Sequence, residues 1–230
     1  MLTIGMVGGM SWESSLEYYR LANTLVEQRL GGLHSAKVAL HSVEFAEVTA
    51  LQEQERWDDV AEILATAARG VQASGADLLL MCTTTFHQVA DQVAAAVDIP
   101  LLHLADVVAD AVKQRRVSTV GVLGTAFTME RSFFRDRLAS HDLTVVLPDQ
   151  AHHAEINRII YEELVHGRVE GSSRKKLVSI IDELWDAGAH GVVLGCTELE
   201  LLVRQPDCEI PVFPATTLHV QAAVERALAG

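Results

Sequence analysis

The sequence predicts an α/β protein made of two similar halves, and three observations carry that expectation. Short apolar runs rich in β-branched residues alternate with helical patterns along all 230 residues, the pattern of parallel sheets covered by helices. An internal repeat relates the first half of the chain to the second. The paired runs also end alike, in glycine or in small polar residues that suit a strand-to-helix turn.

The first run, "LTIGMV", leads into Gly8, Gly9 and Met10. It starts without a basic segment and reads as a strand that begins at once, not a signal peptide. "GMVGGM" lacks the GxGxxG spacing of a dinucleotide fingerprint, so it predicts a glycine turn and no nucleotide cofactor. After Ser11, the positions Tyr18, Leu21, Ala22 and Leu25 recur at helical spacing, and Gly31-Gly32 ends that helix. "AKVALHSV" follows, then a polar loop, "LQEQERW", holding Gln52. "ADLLLMC" runs into Thr83, Thr84 and Thr85, and Phe86, Val89, Ala90, Val93, Ala94 and Val97 predict the next helix. "IPLLHL", "VSTVGVLG", "LTVVLP", "HGVVLGC" and "IPVFP" complete the strand candidates. Val220, Ala223, Val224, Ala227 and Leu228 mark a last helix, with Thr216 or Thr217 as its N-cap.

The repeat has three anchors in the same order. "TIGMVGGM" from residue 3 matches "TVGVLGTA" from 119, "GADLLLMCTT" from 75 matches "GAHGVVLGCT" from 188, and "DIPLL" from 98 matches "EIPVF" from 209. The chain therefore crosses between halves near 98 and again near 211. Residues 1–98 with 212–230 form one predicted domain and 99–211 the other. In this register Cys82 meets Gly195, Thr83 meets Cys196, Thr84 meets Thr197 and Thr85 meets Glu198. Cys82 lies one residue before the shared position, so in an extended strand it points to the opposite face. It is the decoy, and Thr83 and Cys196 are the equivalent pair.

Composition narrows the function. A formal charge of −13 opposes a nucleic-acid partner. No apolar run approaches the ~20 residues of a membrane span. Three cysteines at these spacings fit neither a disulfide framework nor a metal site, and the histidines, His152 and His153 included, lack metal spacing, so no metal and a reducing, cytoplasmic setting are expected. Cys208 reads as an inert loop thiol. Ligands of parallel α/β folds sit beyond the carboxyl ends of the strands. Two such halves facing each other would put Thr83 and Cys196 on opposite sides of one cleft. A helix N-terminus would acidify the Cys196 thiol toward a thiolate. Backbone N–H groups with the Thr84, Thr85 and Thr197 hydroxyls would hold a carboxylate. Proton-transfer groups flanking that carboxylate suit inversion at an α-carbon.

"GMVGGMSWES", "TTTFH" and "GCTE" together resemble the aspartate/glutamate racemase family over the whole chain. The resemblance implies two Rossmann-like domains related by a pseudo-twofold, an active site in the cleft between them, no cofactor, a small-molecule amino acid as substrate, and a homodimer. It implies catalytic roles for Thr83, where the family carries a cysteine, and for Cys196. It adds substrate-binding roles for Gly8, Met10, Gln52, Thr84, Thr85, Thr125 and Thr197. Thr84 stands where the family has asparagine, and a glutamate after "GCT" is the aspartate-type pattern. Gln52 suits a solvated helix start equally well, His87 a helix surface, and Arg168 and Arg174 a solvated face as much as a side-chain carboxylate. The predicted activity is racemisation of an acidic amino acid. Its rivals are a one-sided, decarboxylase-like relative that needs a single thiol, and an amino-acid-binding protein that has lost the thiol pair.

Overall fold

A computed structural model describes residues 1–230, which divide into two compact units, Met1–His103 with His219–Gly230, and Leu104–Leu218. In the first, β1 (Ile4–Gly8), α1 (Trp12–Leu30), β2 (Val38–Ser42), α2 (Phe45–Glu53), α3 (Trp57–Ala73), β3 (Leu78–Met81) and α4 (Ala90–Ala95) follow in order. In the second come α5 (Leu104–Gln114), β4 (Thr119–Leu123), α6 (Ala126–Glu130), α7 (Ser132–Ala139), β5 (Thr144–Val146), α8 (Gln150–Arg158), α9 (Gly171–Asp186), β6 (Val192–Leu194), α10 (Leu199–Leu202) and β7 (Val212–Pro214). The last helix, α11 (Ala215–Ala229), starts in the second unit and ends in the first.

Both sheets are parallel, ordered β2-β1-β3 and β5-β4-β6-β7. Side chains alternate faces with period two, and the helices cover both. Val7, Leu79 and Met81 pack with residues of α3 and α4, whereas Ile4, Met6, Leu78 and Leu80 pack with α1 and the end of α11. In the second sheet Leu123, Val192 and Leu194 share a cluster with α8 and α9, and Val120, Val122 and Val193 one with α5 and α7. Each fully buried aliphatic side chain stabilises its unit by ~1.5–3 kcal/mol.

The repeat reappears as strand register. β1 pairs with β3 through Val7 and Met81, and β4 with β6 through Leu123 and Leu194. A lone bridge from Leu79 to Leu101 occupies the place that Val192 and Val212 hold in the second sheet.

Five details differ from expectation. The crossings fall at 103/104 and 218/219, because long-range pairing claims the connecting segments. Leu79 N donates to Pro100 O at 2.9 Å and Leu102 N to Leu79 O at 3.0 Å, so "IPLLHL" belongs to the first sheet although it forms only a bridge. β7 pairs with β6 in the second sheet and carries residues 212–218 with it. The helix predicted after Thr85 begins as a 3₁₀ turn, Thr85–Val89, before α4. Thr216 and Thr217 lie inside the first turn of α11, which Ala215 opens, so neither is the N-cap. Gln52 sits in the last turn of α2 rather than in a loop. No helix is long and apolar enough to cross a membrane.

Candidate active site

In the first unit, the turn after β1 is set by contacts that exclude larger residues. A Cβ on Gly8 would lie 2.5 Å from Ser15 Oγ, and one on Gly9, which has φ +93°, 2.2 Å from Val43 O. Gly9 N donates to Ser15 Oγ at 2.8 Å, and Ser15 Oγ donates to Ser11 O at 2.9 Å. Ser11 caps α1 by accepting from Ser14 N at 3.3 Å. Met10 is buried in the α3 cluster. Gln52, half-buried on α2, makes no tie to this turn.

Beside it, β3 delivers the three threonines. Cys82 is wholly buried among Ile4, Met6, Tyr18 and Val220, and that burial pushes its thiol far above the ordinary range. Thr83 and Thr84 are almost buried and Thr85 partly so. His87, far from being a surface residue, is 4% exposed. Its Nδ1–H donates to Thr83 O at 2.7 Å, which fixes the peptide that aims Thr83. Close by, His219 Nε2–H donates to Leu102 O at 2.8 Å, and His219 Nδ1 accepts from Tyr18 Oη at 3.0 Å. Burial lowers the His219 pKa to about 4, so this ring is neutral.

In the second unit, β4 and β6 end side by side, which brings Thr125 and Cys196 two residues past the paired Leu123 and Leu194. Thr125 caps α6, its Oγ1 accepting from Thr128 N at 3.3 Å and lying 3.1 Å from Thr128 Oγ1. Cys196 Sγ donates to Glu198 Oε2 at 2.9 Å. Both side chains are nearly buried, at 9% and 8% exposure. Thr197 Oγ1 lies 3.1 Å from Thr216 Oγ1 on α11.

The Cys196 thiol is not acidified as the sequence suggests. Burial raises its pKa well above the ordinary value, the Glu198 charge and hydrogen bond add to the rise, and the backbone N–H groups of Glu198 and Leu199 oppose it only in part. The reason is geometric: α10 is four residues long, too short for an appreciable dipole, and the thiol sits in a low-dielectric pocket against an anion. At rest Cys196 is a protonated thiol with a built-in proton acceptor.

Two neighbours of this site carry no signal in the sequence. Tyr161 projects from a π-helical turn, Ile159–Glu163, that follows α8. Burial raises its phenol pKa, and negative charge on Cys196 or Glu198 would raise it further, so the ring stands beside the pair. Thr216, considered only as a helix cap, instead braces Thr197. Arg174 and Arg168 both serve the fold: Arg174 Nε donates to Leu202 O at 2.7 Å, and Arg168 donates to Glu162 O.

Residues 7–223 match the Asp/Glu/hydantoin racemase family model, and the chain belongs to that family. Among solved structures it resembles a candidate Asp/Glu racemase from Yersinia pestis, at 44% identity and TM-score 0.94 over 99% of this chain and 100% of that one. An aspartate racemase homologue from Pyrococcus horikoshii OT3 is 33% identical, with TM-score 0.91 over the same shares, 99% and 100%. Among curated proteins, a glutamate racemase of Roseiflexus sp. (strain RS-1) is 28% identical over 64% of this chain and 54% of its own length.

Proposed function

We propose that the protein is a cofactor-independent racemase of an acidic amino acid whose two proton carriers are unequal. The observation that supports this reading is the 2.9 Å hydrogen bond from the Cys196 thiol to Glu198, at the position that the repeat makes equivalent to Thr83. Glu198 takes the thiol proton, leaving a thiolate and a neutral carboxyl, and the thiolate removes the α-proton of the substrate. The carbanion takes a proton on its other face from the Thr83 hydroxyl. Water reprotonates that oxygen, and the hydroxide so formed is neutralised by the proton that Glu198 gives up, which returns the site to its starting state. Main-chain N–H groups near Gly8 and Met10, with Thr84, Thr85, Thr125 and Thr197, hold the α-carboxylate. A thiol with an adjacent carboxylate makes a workable base, whereas an alcohol with none makes only an acid. Abstraction is therefore fast from the hand whose α-proton faces Cys196 and slow from the other.

Deuterium wash-in from D₂O, followed from pure L- and pure D-aspartate and glutamate, tests the reading. Deuterium at the α-carbon of the product enantiomer, faster from one hand, is the expected result. Absence of exchange from either hand would sink it and favour a binding protein. Release of CO₂ with a single deuteron delivered would point instead to the decarboxylase-like alternative, for which one thiol suffices.

A further inference from the structure

The residue that follows the site by one helical turn, Glu200, has no part in the proton transfers above. Its carboxylate spans the start of α11: Oε1 accepts from Thr216 N at 2.7 Å, and Oε2 accepts from Thr217 Oγ1 at 2.7 Å and Thr217 N at 3.3 Å. The two backbone N–H groups are donors that a helix of fifteen residues leaves unpaired in its first turn. A carboxylate there also meets the positive end of the helix dipole. The Thr216 residue so fixed reaches back, hydroxyl to hydroxyl at 3.1 Å, to Thr197.

We infer that Glu200 is a positioning residue for substrate binding: by holding the first turn of α11 it fixes Thr216, and Thr216 in turn aims the Thr197 hydroxyl at the substrate carboxylate. The inference rests on the proposed role of Thr197. Three charge-assisted hydrogen bonds to the two oxygens of one carboxylate, from two consecutive residues of which one touches a site residue, are more than a helix cap alone requires.

The surroundings make the arrangement sensitive to pH. Glu200 lines a cavity of about 250 Å³ with Val203, Arg204, Gln205, Val212, Pro214 and Thr217. Arg204 is the one cationic side chain there and is exposed. β7 brings only Val212 and Pro214, α11 brings Thr217, and the nearest anion on its own turn is the buried Glu198. Burial raises the Glu200 pKa to about 7, against the opposing pull of Thr217 and Thr216. Protonation removes one acceptor and the charge, so the hydrogen bonds to Thr216 and Thr217 weaken as pH falls through that value, although relief of the buried charge stabilises the chain as a whole.

The test uses the full chain and measures Kd for L-glutamate and L-aspartate by calorimetry, with amide hydrogen exchange at Thr216 and Thr217. Glu200→Ala should weaken binding roughly tenfold, the loss of about one hydrogen bond to a charged group, and should deprotect both amides. Glu200→Gln, the neutral isostere of the protonated acid, should bind at every pH with the affinity that wild type shows below about pH 7, and should lose the pH dependence. At about pH 8 it should bind more weakly than wild type but more tightly than Glu200→Ala. Thr216→Val should weaken binding to a similar degree while leaving the amides protected, and adding Glu200→Ala to it should cost little more affinity. Additive losses, or an unchanged Kd in folded Glu200→Ala and Glu200→Gln, would overturn the inference. A wild type that binds both ligands but exchanges no α-proton refutes racemisation alone. Amides equally protected in all variants refute the cap itself.

Discussion

The turn after β3 and the turn after β6 are the same piece of architecture with different side chains. Each follows the second-laid strand of its sheet pair, and the register Val7–Met81 is repeated in Leu123–Leu194. In the first, Thr83 carries a hydroxyl with no carboxylate on its turn, and the residue one helical turn on, His87, donates to the Thr83 carbonyl at 2.7 Å. In the second, Cys196 has Glu198 at 2.9 Å, and the equivalent residue one turn on, Glu200, accepts hydrogen bonds from α11. One turn presents a neutral hydroxyl whose carbonyl is held by a histidine, and the other pairs a thiol with a carboxylate. The difference teaches that a duplicated scaffold preserves positions, not chemistry: two residues downstream of the equivalent pair stands a threonine in one turn and a glutamate in the other.

The largest effect should come from breaking the turn that pairs the thiol with the carboxylate. Cys196→Ala should abolish α-proton exchange from both hands of the substrate. Glu198→Gln keeps the volume and a hydrogen-bond acceptor but cannot take a proton. It should slow abstraction on the Cys196 face by roughly 10²–10⁴, the usual worth of a positioned base. Initial rates from pure enantiomers in D₂O decide both cases. A Glu198→Gln enzyme at wild-type rate would mean that the carboxylate only fills space.

Next comes the attempt to make the two turns alike. Thr83→Cys installs a thiol on the slow face, and turnover from the slower hand should rise about tenfold or more, since each 1.36 kcal/mol of barrier is a factor of ten. Thr83 has no downstream carboxylate, because Thr85 stands where the other turn has Glu198. The double change Thr83→Cys with Thr85→Glu should therefore exceed Thr83→Cys alone. Equal wild-type rates from the two hands, with no gain in either variant, would remove Thr83 from the mechanism.

Much of this comparison was legible in the sequence. The repeat anchors around residues 75 and 188 placed Thr83 opposite Cys196, and the sheet registers agree with that offset. Strand runs and most helices follow from period-two and 3.6-residue patterning, which reports burial directly. What escaped depends on contacts distant in sequence or on local dielectric. The crossings were misplaced because Leu101 joins the first sheet only through Leu79, and β7 joins the second only through β6. The state of the Cys196 thiol was misjudged because a helix dipole was weighed without the burial and the neighbouring anion that outweigh it. Tyr161 depends on a π-helical turn, whose position no apolar spacing betrays.

A pH experiment sharpens the comparison through stability. Burial lowers the His219 pKa from 6.5 to about 4, so the unfolded chain binds more protons between these values. Its contribution is present above pH 6.5 and lost as pH falls toward 4, about 3 kcal/mol in all. Burial raises the Glu200 pKa from 4.5 to about 7, so its contribution is present below pH 4.5 and is lost as pH rises to 7, by a similar amount of about 3 kcal/mol. The two slopes oppose each other between pH 4.5 and 6.5. Wild type should show a nearly level urea midpoint there, whereas Glu200→Gln should grow more stable as pH rises. A level profile in Glu200→Gln as well would show that His219 carries no such slope.

Thr197→Val, which removes one donor to the substrate carboxylate while keeping the side-chain shape, should weaken ligand binding about tenfold, as the ~1.5–3 kcal/mol of a hydrogen bond to a charged group implies. Because the hydroxyl also meets Thr216 at 3.1 Å, the unfolding midpoint should fall a little as well, so the loss of ligand grip is read from Kd for L-glutamate under conditions where the variant is fully folded. An unchanged Kd would take Thr197 out of the site.

The smallest effect belongs to the cysteine that looks most reactive in the sequence. Cys82 directly follows β3 with its side chain among Ile4, Tyr18, Ala22 and Val224, wholly buried, in the layer between the first sheet and the helices α1 and α11. Burial alone pushes its thiol far out of reach of ionisation near neutral pH. Cys82→Ala removes one buried sulfur and leaves a cavity about that size, which should cost roughly 1 kcal/mol of stability, within the usual range for such a deletion. Turnover from either hand should stay at the wild-type value, because the change touches neither the Thr83 hydroxyl nor its carbonyl, which His87 holds. Urea midpoints and initial rates measured on one preparation separate the two quantities. A folded Cys82→Ala protein without activity would put the reactive thiol of the first turn at Cys82 and shift the register between the two halves by one residue.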